Sequence, residues 1–396
     1  MTLTPQDSGP RSFEGARQLF RLPAEAHYLN CAYMSPLAQS VEDAVIAGLR
    51  LKRNPSQVGP DDFFEPADGV RQRFARLIGV PEQSERVAIL PAVSYGVALA
   101  ARNLAVGRGR EVVVLGEQFP SNVYAWVRRA REDSGRLVRV ERPDSGSAVR
   151  WSDALLEAIG ATTAIVAVPP VHWTDGTAID LVAVGERCRD VGAALVIDGT
   201  QSIGAVPFDA AAVQPDAIVT AAYKWLMGPY GIALGWFGER FDDGVPLEEG
   251  WISRAGSRNF GGLVDYPDAY APGAQRYDMG ERSNFALLPG VAAGLDLVIG
   301  WTPERISEQI TRLSEPLFEQ VSALGFRTGH AAERAPHMFG LQVPEGFDPE
   351  RLTQSLAARN VSVSKRGSSV RVSPHVYNEA VDLEALVEAL SDALKQ

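Results

Sequence analysis

The chain has 396 residues, of which 45% are apolar and 22% charged, as is typical of a soluble globular protein with a buried core. Its length exceeds the usual size of one domain, so we expect a large domain and a smaller partner domain. The formal net charge of −11 and the absence of a Lys/Arg cluster argue against nucleic acid as a substrate or partner.

Cysteine usage and the start of the chain bear on its location. Cys31 and Cys188 are far apart and outside any CxxC pattern, so neither a disulfide framework nor a metal site is indicated. Residues 1–12 are polar and lack the basic and apolar segments of a signal peptide. No apolar run approaches the ~18 residues that span a bilayer. We therefore expect a cytoplasmic protein with no membrane partner.

From residue 30 to about 240, short apolar runs alternate with helix-like stretches. Several runs lack the polar alternation of a half-exposed strand, which is typical of a sheet covered on both faces. The pattern predicts an α/β fold with a mostly parallel seven-stranded sheet sandwiched by helices. The predicted strands are 86–90, 111–115, 137–140, 163–168, 194–198, 217–221 and 232–237, and the helices are 95–104, 122–132, 153–159 and 181–191.

The remaining third of the chain differs from this pattern. Residues 244–273 are rich in Gly, aromatic and acidic residues without a clear period, which predicts a long functional loop or an excursion over the site. From Pro303 the pattern predicts a small α+β domain with helices 303–324, 349–359 and from 382, and strands 338–343, 361–365 and 370–373. We expect three parts: an N-terminal arm and segment packing on the small domain (1–29), a large domain (30–295) and a small C-terminal domain (296–396).

Ligands of open α/β sheets bind outside the carboxyl ends of the strands, so residues just past each strand are candidate site residues. Asp198 closes one predicted strand, and Lys224 follows another. A Schiff-base lysine with a carboxylate that keeps the pyridine nitrogen protonated is the pair that pyridoxal phosphate requires. The apolar neighbours of Lys224, including Trp225, would lower the pKa of its amine. We therefore predict a pyridoxal 5'-phosphate site with Lys224 and Asp198 as catalytic residues.

Two loops after neighbouring strands offer further cofactor contacts. Val93 and Ser94 begin a predicted helix, whose free N–H groups and dipole suit a phosphate. A plain helix cap by Ser94 is the favoured alternative for this segment alone. Phe119, beside a proline, is placed to stack on a planar cofactor. The alternative for Phe119 is a core phenylalanine before a helix start that Ser121 caps.

Other strand-end residues are candidates for binding the substrate or the cofactor ring. His172 and Trp173 supply an imidazole and an indole N–H that would shape substrate choice, with a structural histidine as an equal alternative. Gln201, three residues after Asp198, can hydrogen-bond the phenolate oxygen of the cofactor. Arg371 lies within a strand and can clamp a substrate carboxylate, or form a salt bridge to an acidic neighbour.

Three segments resemble the class V aminotransferase family of pyridoxal phosphate enzymes, which includes cysteine desulfurases, kynureninases and isopenicillin N epimerase. They are Val-Ile-Asp-Gly-Thr-Gln at 196–201, Tyr-Lys-Trp-Leu-Met-Gly-Pro-Tyr-Gly at 223–231 and Arg-Val-Ser-Pro-His-Val-Tyr-Asn at 371–378. The resemblance extends from about Tyr28 to the C-terminus. It implies a fold-type-I homodimer in which each active site is completed by the other subunit.

The resemblance also implies a role for each residue of the predicted site. Lys224 would form the Schiff base, Asp198 would pair with the pyridine nitrogen, Gln201 would contact the phenolate oxygen, Ser94 would hold the phosphate, Arg371 would bind the substrate carboxylate, and Tyr223 would be a phosphate or proton-relay contact. The segment 276–284 resembles the one that crosses to the phosphate of the partner, through Ser283 or Arg282.

Two departures from the family narrow the activity. Desulfurases accept sulfur on a cysteine in the second half of the chain, and no cysteine follows Cys188, so that reaction lacks its nucleophile. Phe119 and Trp173 replace a histidine and an asparagine that are common in relatives. We expect an aminotransferase or lyase acting at the α-carbon of an amino acid; an epimerase, a C–S lyase or a non-catalytic cofactor-binding protein are the alternatives.

Overall fold

A computed structural model of the chain describes residues 13–143, 147, 149–344, 349–367 and 369–395, so the predicted N-terminal arm, residues 1–12, lies outside the described residues. The strands are β1 (His27–Tyr28), β2 (Val87–Leu90), β3 (Glu111–Leu115), β4 (Arg136–Val140), β5 (Thr163–Val168), β6 (Ala194–Asp198), β7 (Ala217–Ala221), β8 (Ala233–Phe237), β9 (Arg327–Thr328), β10 (Phe339–Gln342), β11 (Val361–Ser362), β12 (Ser364–Arg366) and β13 (Ser369–Val372).

The α-helices complete the description of the elements. They are α1 (Gln39–Leu51), α2 (Glu65–Leu77), α3 (Val93–Asn103), α4 (Tyr124–Glu132), α5 (Trp151–Ala158), α6 (Leu181–Val191), α7 (Ala210–Val213), α8 (Leu287–Trp301), α9 (Pro303–Ala323), α10 (Pro349–Ala358) and α11 (Ala380–Lys395).

The large sheet has seven strands in the order β2-β8-β7-β6-β5-β3-β4. The pairs from β7 to β4 run parallel, whereas β8 is antiparallel to both of its neighbours. Strands such as β5 and β6 are buried at every position, as expected when helices cover both faces. The predicted mostly parallel seven-stranded sheet is confirmed.

Successive residues of these strands supply two separate cores, because side chains alternate between the faces of a sheet. On one face Ile197 belongs to a cluster with residues of α2, α6 and α8. On the other face Val196 belongs to a cluster with residues of α3 and α4. The helices thus sandwich the sheet and hold the carboxyl ends of its parallel strands at one edge.

The C-terminal part has its own antiparallel sheet, in the order β12-β13-β10-β9, and its own apolar core with residues of α9, α10 and α11. Strand β1 pairs in parallel with β11, so the N-terminal segment is joined to this C-terminal part. Helix α8 runs without a break across residue 295, the predicted end of the large domain. The limits of the three predicted parts stay a prediction.

Candidate active site

A cavity of about 220 Å³ lies where β5, β6 and β7 end and α3 begins. It is lined by the side chains or backbone of Ala92, Val93, Ser94, Gln118, Phe119, Ser121, Pro169, Val171, Trp173, Asp198, Thr200, Gln201, Ala221, Tyr223, Lys224 and Tyr230. This position is the edge at which open α/β sheets bind ligands. Eight residues of the predicted site are therefore brought together at one cavity.

Lys224 supplies a buried amine to this cavity. It lies in the turn that leaves β7, where its carbonyl oxygen accepts a hydrogen bond of 3.1 Å from the Met227 amide. The side chain is 8% exposed, and its Nζ lies 5.8 Å from the centroid of the Phe119 ring and 5.5 Å from that of Tyr223. Burial lowers the pKa of Lys224 to about 8, against the opposing effect of Asp198. The amine is therefore available as a nucleophile near neutral pH.

Asp198 supplies a buried carboxyl group at the end of β6. The Thr200 amide donates a 3.0 Å hydrogen bond to Asp198 Oδ1. Burial raises the pKa of Asp198, while this hydrogen bond and the positive charge of Lys224 act in the opposite direction. No ion pair joins Lys224 and Asp198 in the described part of the chain. The carboxyl group thus faces the cavity in a setting that a cationic ring nitrogen would stabilise as carboxylate.

The start of α3 forms the wall of the cavity nearest to β2. Its N-cap is Ala92, and no side chain caps the helix, so Ser94 is the second helical residue and not the cap. The plain-cap alternative for Ser94 is therefore wrong. Ser94 is exposed in the single chain, and the first N–H groups of α3 remain available at the cavity. An uncapped helix start suits the phosphate of the cofactor.

Aromatic side chains form another wall. Phe119 is 42% exposed and makes an edge contact with Trp173, with ring centroids 5.3 Å apart. It is therefore not a core phenylalanine, and Ser121 does not cap α4, whose N-cap is Val123. Trp173 Nε1 donates a 2.7 Å hydrogen bond to the Glu117 carbonyl, which fixes the indole at the rim. These rings offer apolar surface to a planar ligand.

Arg371 and Gln201 lie at the side of the cavity formed with the C-terminal part. Arg371 is buried, and its Nη1 donates a 2.7 Å hydrogen bond to the Trp173 carbonyl, whereas its Nε and Nη2 have no partner among the described residues. The salt-bridge alternative for Arg371 is therefore wrong within the described residues. Gln201 lines the cavity; its amide donates 3.1 Å to the Ala32 carbonyl and accepts 2.9 Å from Trp225.

Two predicted site residues lie elsewhere. His172 is buried, and its ring nitrogens contact the Gly116 carbonyl at 3.2 Å and Thr174 Oγ1 at 2.8 Å, while the ring packs on Trp151. Burial lowers the pKa of His172 to about 4, so it is a neutral, structural histidine. Ser283 does not line this cavity, and its hydroxyl donates a 2.6 Å hydrogen bond to the Phe63 carbonyl. The structure does not bring these two side chains to the cavity.

Three residues near the site were missed in the sequence. Tyr230 lines the cavity and packs on Tyr223, with centroids 4.5 Å apart; it belongs to the segment 223–231 that carries the family resemblance. Cys31 is buried close enough to Lys224 and Arg371 to interact electrostatically with both, and burial raises the pKa of its thiol. Arg366 lies over the Trp173 ring, 5.3 Å from the centroid. Cys31 and Arg366 reach the site through long-range pairing, which sequence spacing does not reveal.

A buried amine, a buried carboxyl group, an uncapped helix start and exposed aromatic rings at one cavity fit pyridoxal phosphate. Within the ranges that the structure describes, no group of three His, Cys, Asp or Glu residues is arranged to hold a metal ion. No helix of the same ranges has the length and apolarity needed to cross a membrane. Fold and site together define an α/β enzyme of the pyridoxal phosphate class.

Comparison with known proteins gives the family. The model of the family described as aminotransferase class V matches residues 60–387. The uncharacterized aminotransferase YcbU of Bacillus subtilis is 24% identical over 384 residues, which cover 96% of this chain and 97% of that protein. Isopenicillin N epimerase of Amycolatopsis lactamdurans is 25% identical over 410 residues, covering 97% and 99%. The chain belongs to the class V aminotransferase family, whose enzymes depend on pyridoxal phosphate.

A solved structure shows the same fold. The cysteine desulfurase CsdA of Escherichia coli superposes with a TM-score of 0.83 at 17% identity, covering 97% of this chain and 98% of that one. The predicted architecture of a large, mostly parallel sheet with a C-terminal domain is thus shared with an enzyme of known structure.

Proposed function

We propose that Lys224 is the covalent attachment point of pyridoxal phosphate and moves protons at the α-carbon of an amino acid substrate. The observation that carries this proposal is the amine itself: it is 8% exposed, its pKa is lowered to about 8, and it shares a cavity with Asp198. Pyridoxal phosphate, when bound, withdraws electrons from a substrate α-carbon. A nearby unprotonated amine is then the natural base for a proton at that carbon.

The other residues of the cavity are assigned roles in holding cofactor and substrate. Asp198 would hold the ring nitrogen in its protonated form, and Gln201 has one amide hydrogen left for the phenolate oxygen after bonding Ala32. Val93, Ser94 and the start of α3 would bind the phosphate, which the nearby Tyr223 hydroxyl can also reach. Phe119 would stack on the ring.

Arg371 would bind the α-carboxylate of the substrate. Its two unpartnered nitrogens, Nε and Nη2, can donate parallel hydrogen bonds to one carboxylate. Its Nη1 bond to Trp173 fixes the direction of the guanidinium before substrate arrives. Trp173 therefore contributes to substrate choice through its backbone and its ring, whereas His172 supports the loop from behind.

The reaction that we propose is transamination or a lyase reaction on an amino acid. Lys224 and Asp198 suffice for loss and return of an α-proton, which are steps common to transamination, racemisation and β-elimination. The similarity to isopenicillin N epimerase makes an epimerase the second candidate, ahead of a C–S lyase or a non-catalytic binding protein.

We further propose a cytoplasmic homodimer with shared active sites. The start of α3 is exposed in the single chain, and Ser283 lies away from the cavity of its own chain. Large exposed apolar side chains are concentrated between residues 251 and 266, where Trp251, Phe260 and Tyr266 are 38%, 38% and 87% exposed. Apolar surface of this kind favours association.

A panel of amino acids tests the proposed reaction. Holoenzyme is incubated with each amino acid, with and without a keto acid acceptor, and the products are scored for keto acid, inverted α-carbon and eliminated side chain. We expect keto acid with at least one amino acid, and no product with Lys224→Ala. Inversion without keto acid would assign the epimerase, and no product with any amino acid would contradict catalysis.

A further inference from the structure

Arg366 is a second arginine at the substrate side of the cavity. In the antiparallel pair of β12 and β13, Ser364 lies opposite Arg371, and Arg366 opposite Ser369. Because side chains alternate along a strand, Arg366 and Arg371 project from the same face of this pair. Diagonal neighbours of this kind have Cβ atoms roughly 7–8 Å apart. The two guanidinium groups thus start from adjacent positions.

Both arginines converge on Trp173. Arg371 Nη1 donates a 2.7 Å hydrogen bond to the Trp173 carbonyl, and the Arg366 guanidinium carbon lies 5.3 Å from the centroid of the Trp173 ring. Trp173 itself lines the cavity. A planar guanidinium over an indole face is held in a fixed orientation while its N–H edge stays open to a ligand.

The positive charge at this position has no acidic partner in the described part of the chain. Arg366 donates 2.8 Å to the Lys365 carbonyl, and its Nε is buried without a partner, as are Nε and Nη2 of Arg371. The positive charge of Arg366 also lowers the pKa of both Lys224 and Arg371. Two like charges on one face of a strand pair are unfavourable unless an anion comes between them.

We propose that Arg366 selects amino acid substrates that carry a second anionic group on the side chain, as a dicarboxylic amino acid does. The inference rests on the proposed function, because it takes Arg371 as the site of the α-carboxylate. Arg366 then receives the second carboxylate through its guanidinium edge, and the short carbon chain of the substrate lies along Trp173.

Non-reactive acids of matched length test this specificity on the holoenzyme. Dissociation constants are measured for glutarate against valerate and for succinate against butyrate. We expect the diacids to bind about tenfold tighter or more, which corresponds to one charge-assisted hydrogen-bonded contact. R366Q should reduce diacid affinity to that of the monoacids and change monoacid affinity less than about twofold. K365Q is the matched control, because Lys365 is the exposed neighbour on the opposite face of β12 and should leave all four constants unchanged.

The outcomes separate this inference from the proposed function. If the unmodified protein lacks diacid preference, or if R366Q or K365Q gives the opposite of the expected result, the inference is overturned. If R366Q loses monoacid binding as well, R366K decides: its diacid preference must fall below that of the unmodified protein. Coenzyme fixed on Lys224 is measured in the same preparations, so fixed coenzyme without diacid preference overturns only the role of Arg366.

Discussion

Lys224 and Asp198 experience the same physical effect with opposite chemical results. Burial favours the neutral form of both groups, which lowers the pKa of the amine and raises that of the carboxyl group. The free amine is the form that the proposed chemistry needs, whereas the carboxyl group needs a cation beside it to ionise. A protonated ring nitrogen is such a cation, so the site is completed electrostatically only by its ligand.

The reactivity of Lys224 should therefore depend on pH in a defined way. We expect its rate of modification by an amine-directed reagent, in the cofactor-free protein, to fall about tenfold per pH unit below a pKa of about 8 and to level off above it. The measurement is the labelled fraction of the peptide with Lys224, found by mass spectrometry at several pH values. An inflection near 10.5, the ordinary lysine value, would show that burial does not act on this amine.

Asp198→Asn should separate stability from activity. In the cofactor-free protein the raised pKa of Asp198 means that the native state holds a proton that the unfolded chain has lost. Stability therefore falls as pH rises from about 4 through the native pKa, and asparagine avoids this loss. We expect a Tm at pH 7 equal to or higher than that of the unmodified protein, with a smaller difference near pH 4.

The same substitution should lower activity by roughly a hundredfold or more, as removal of one preorganised charge contact usually does. Steady-state rates of the holoenzyme measure this loss. A cofactor-free Asp198→Asn protein that melts well below the unmodified protein at pH 7 would contradict the sign derived for this carboxyl group.

At this scale, prediction from sequence worked where a residue follows a strand directly. Asp198, Lys224 and Phe119 lie at the cavity because the end of a parallel strand fixes their direction. His172 follows a strand too, but its ring turns toward the Gly116 carbonyl and Trp151. The rotation of a side chain in a loop depends on tertiary contacts, which spacing along the chain does not contain.

Among the elements, the loop between β5 and α6 links the large sheet to the C-terminal part. Gly176 has a φ of 79°, and a Cβ there would overlap the carbonyl oxygen of Met338. Its own carbonyl accepts a 2.8 Å hydrogen bond from the Ala335 amide. Trp173, three residues earlier, holds Arg371. Close contact at Gly176 therefore positions the loop that orients the arginine.

Gly176→Ala should destabilise the protein by about 2–4 kcal/mol, from left-handed strain plus a steric clash. Gly192→Ala is the matched control, because Gly192 has a φ of 71° but nothing within 4 Å of its Cβ position, and about 1 kcal/mol is expected there. Denaturant unfolding of both variants measures the difference. Equal losses would show that the close contact with Met338 has no energetic weight.

The elements also show which patterns are readable. Four strands, β3, β5, β6 and β7, begin and end where their apolar runs predict. Helix α8 was missed, since Leu-Leu-Pro-Gly-Val-Ala-Ala-Gly-Leu is apolar on nearly every side and lacks the period of a half-exposed helix. Residues 244–273 were predicted as a loop, and the structure adds the short 3-10 turns Trp251–Ser253 and Phe260–Asp265.

For the whole molecule, the proposed dimer makes the clearest prediction. We expect twice the chain mass in solution by light scattering, because exposed apolar side chains around Phe260 and the open start of α3 would be covered by a second chain. Replacing Trp251 and Phe260 by serine should weaken the association and the binding of coenzyme together. A stable monomer that retains full coenzyme binding would contradict the shared site.

The central claim is that the Lys224 amine holds the coenzyme. The direct measurement is reduction of the holoenzyme with borohydride, followed by digestion and mass mapping of the peptide that carries the pyridoxyl group. We predict the group on Lys224, with none fixed in Lys224→Ala. A pyridoxyl group on another lysine, or its absence from a protein that binds the coenzyme, would contradict the account.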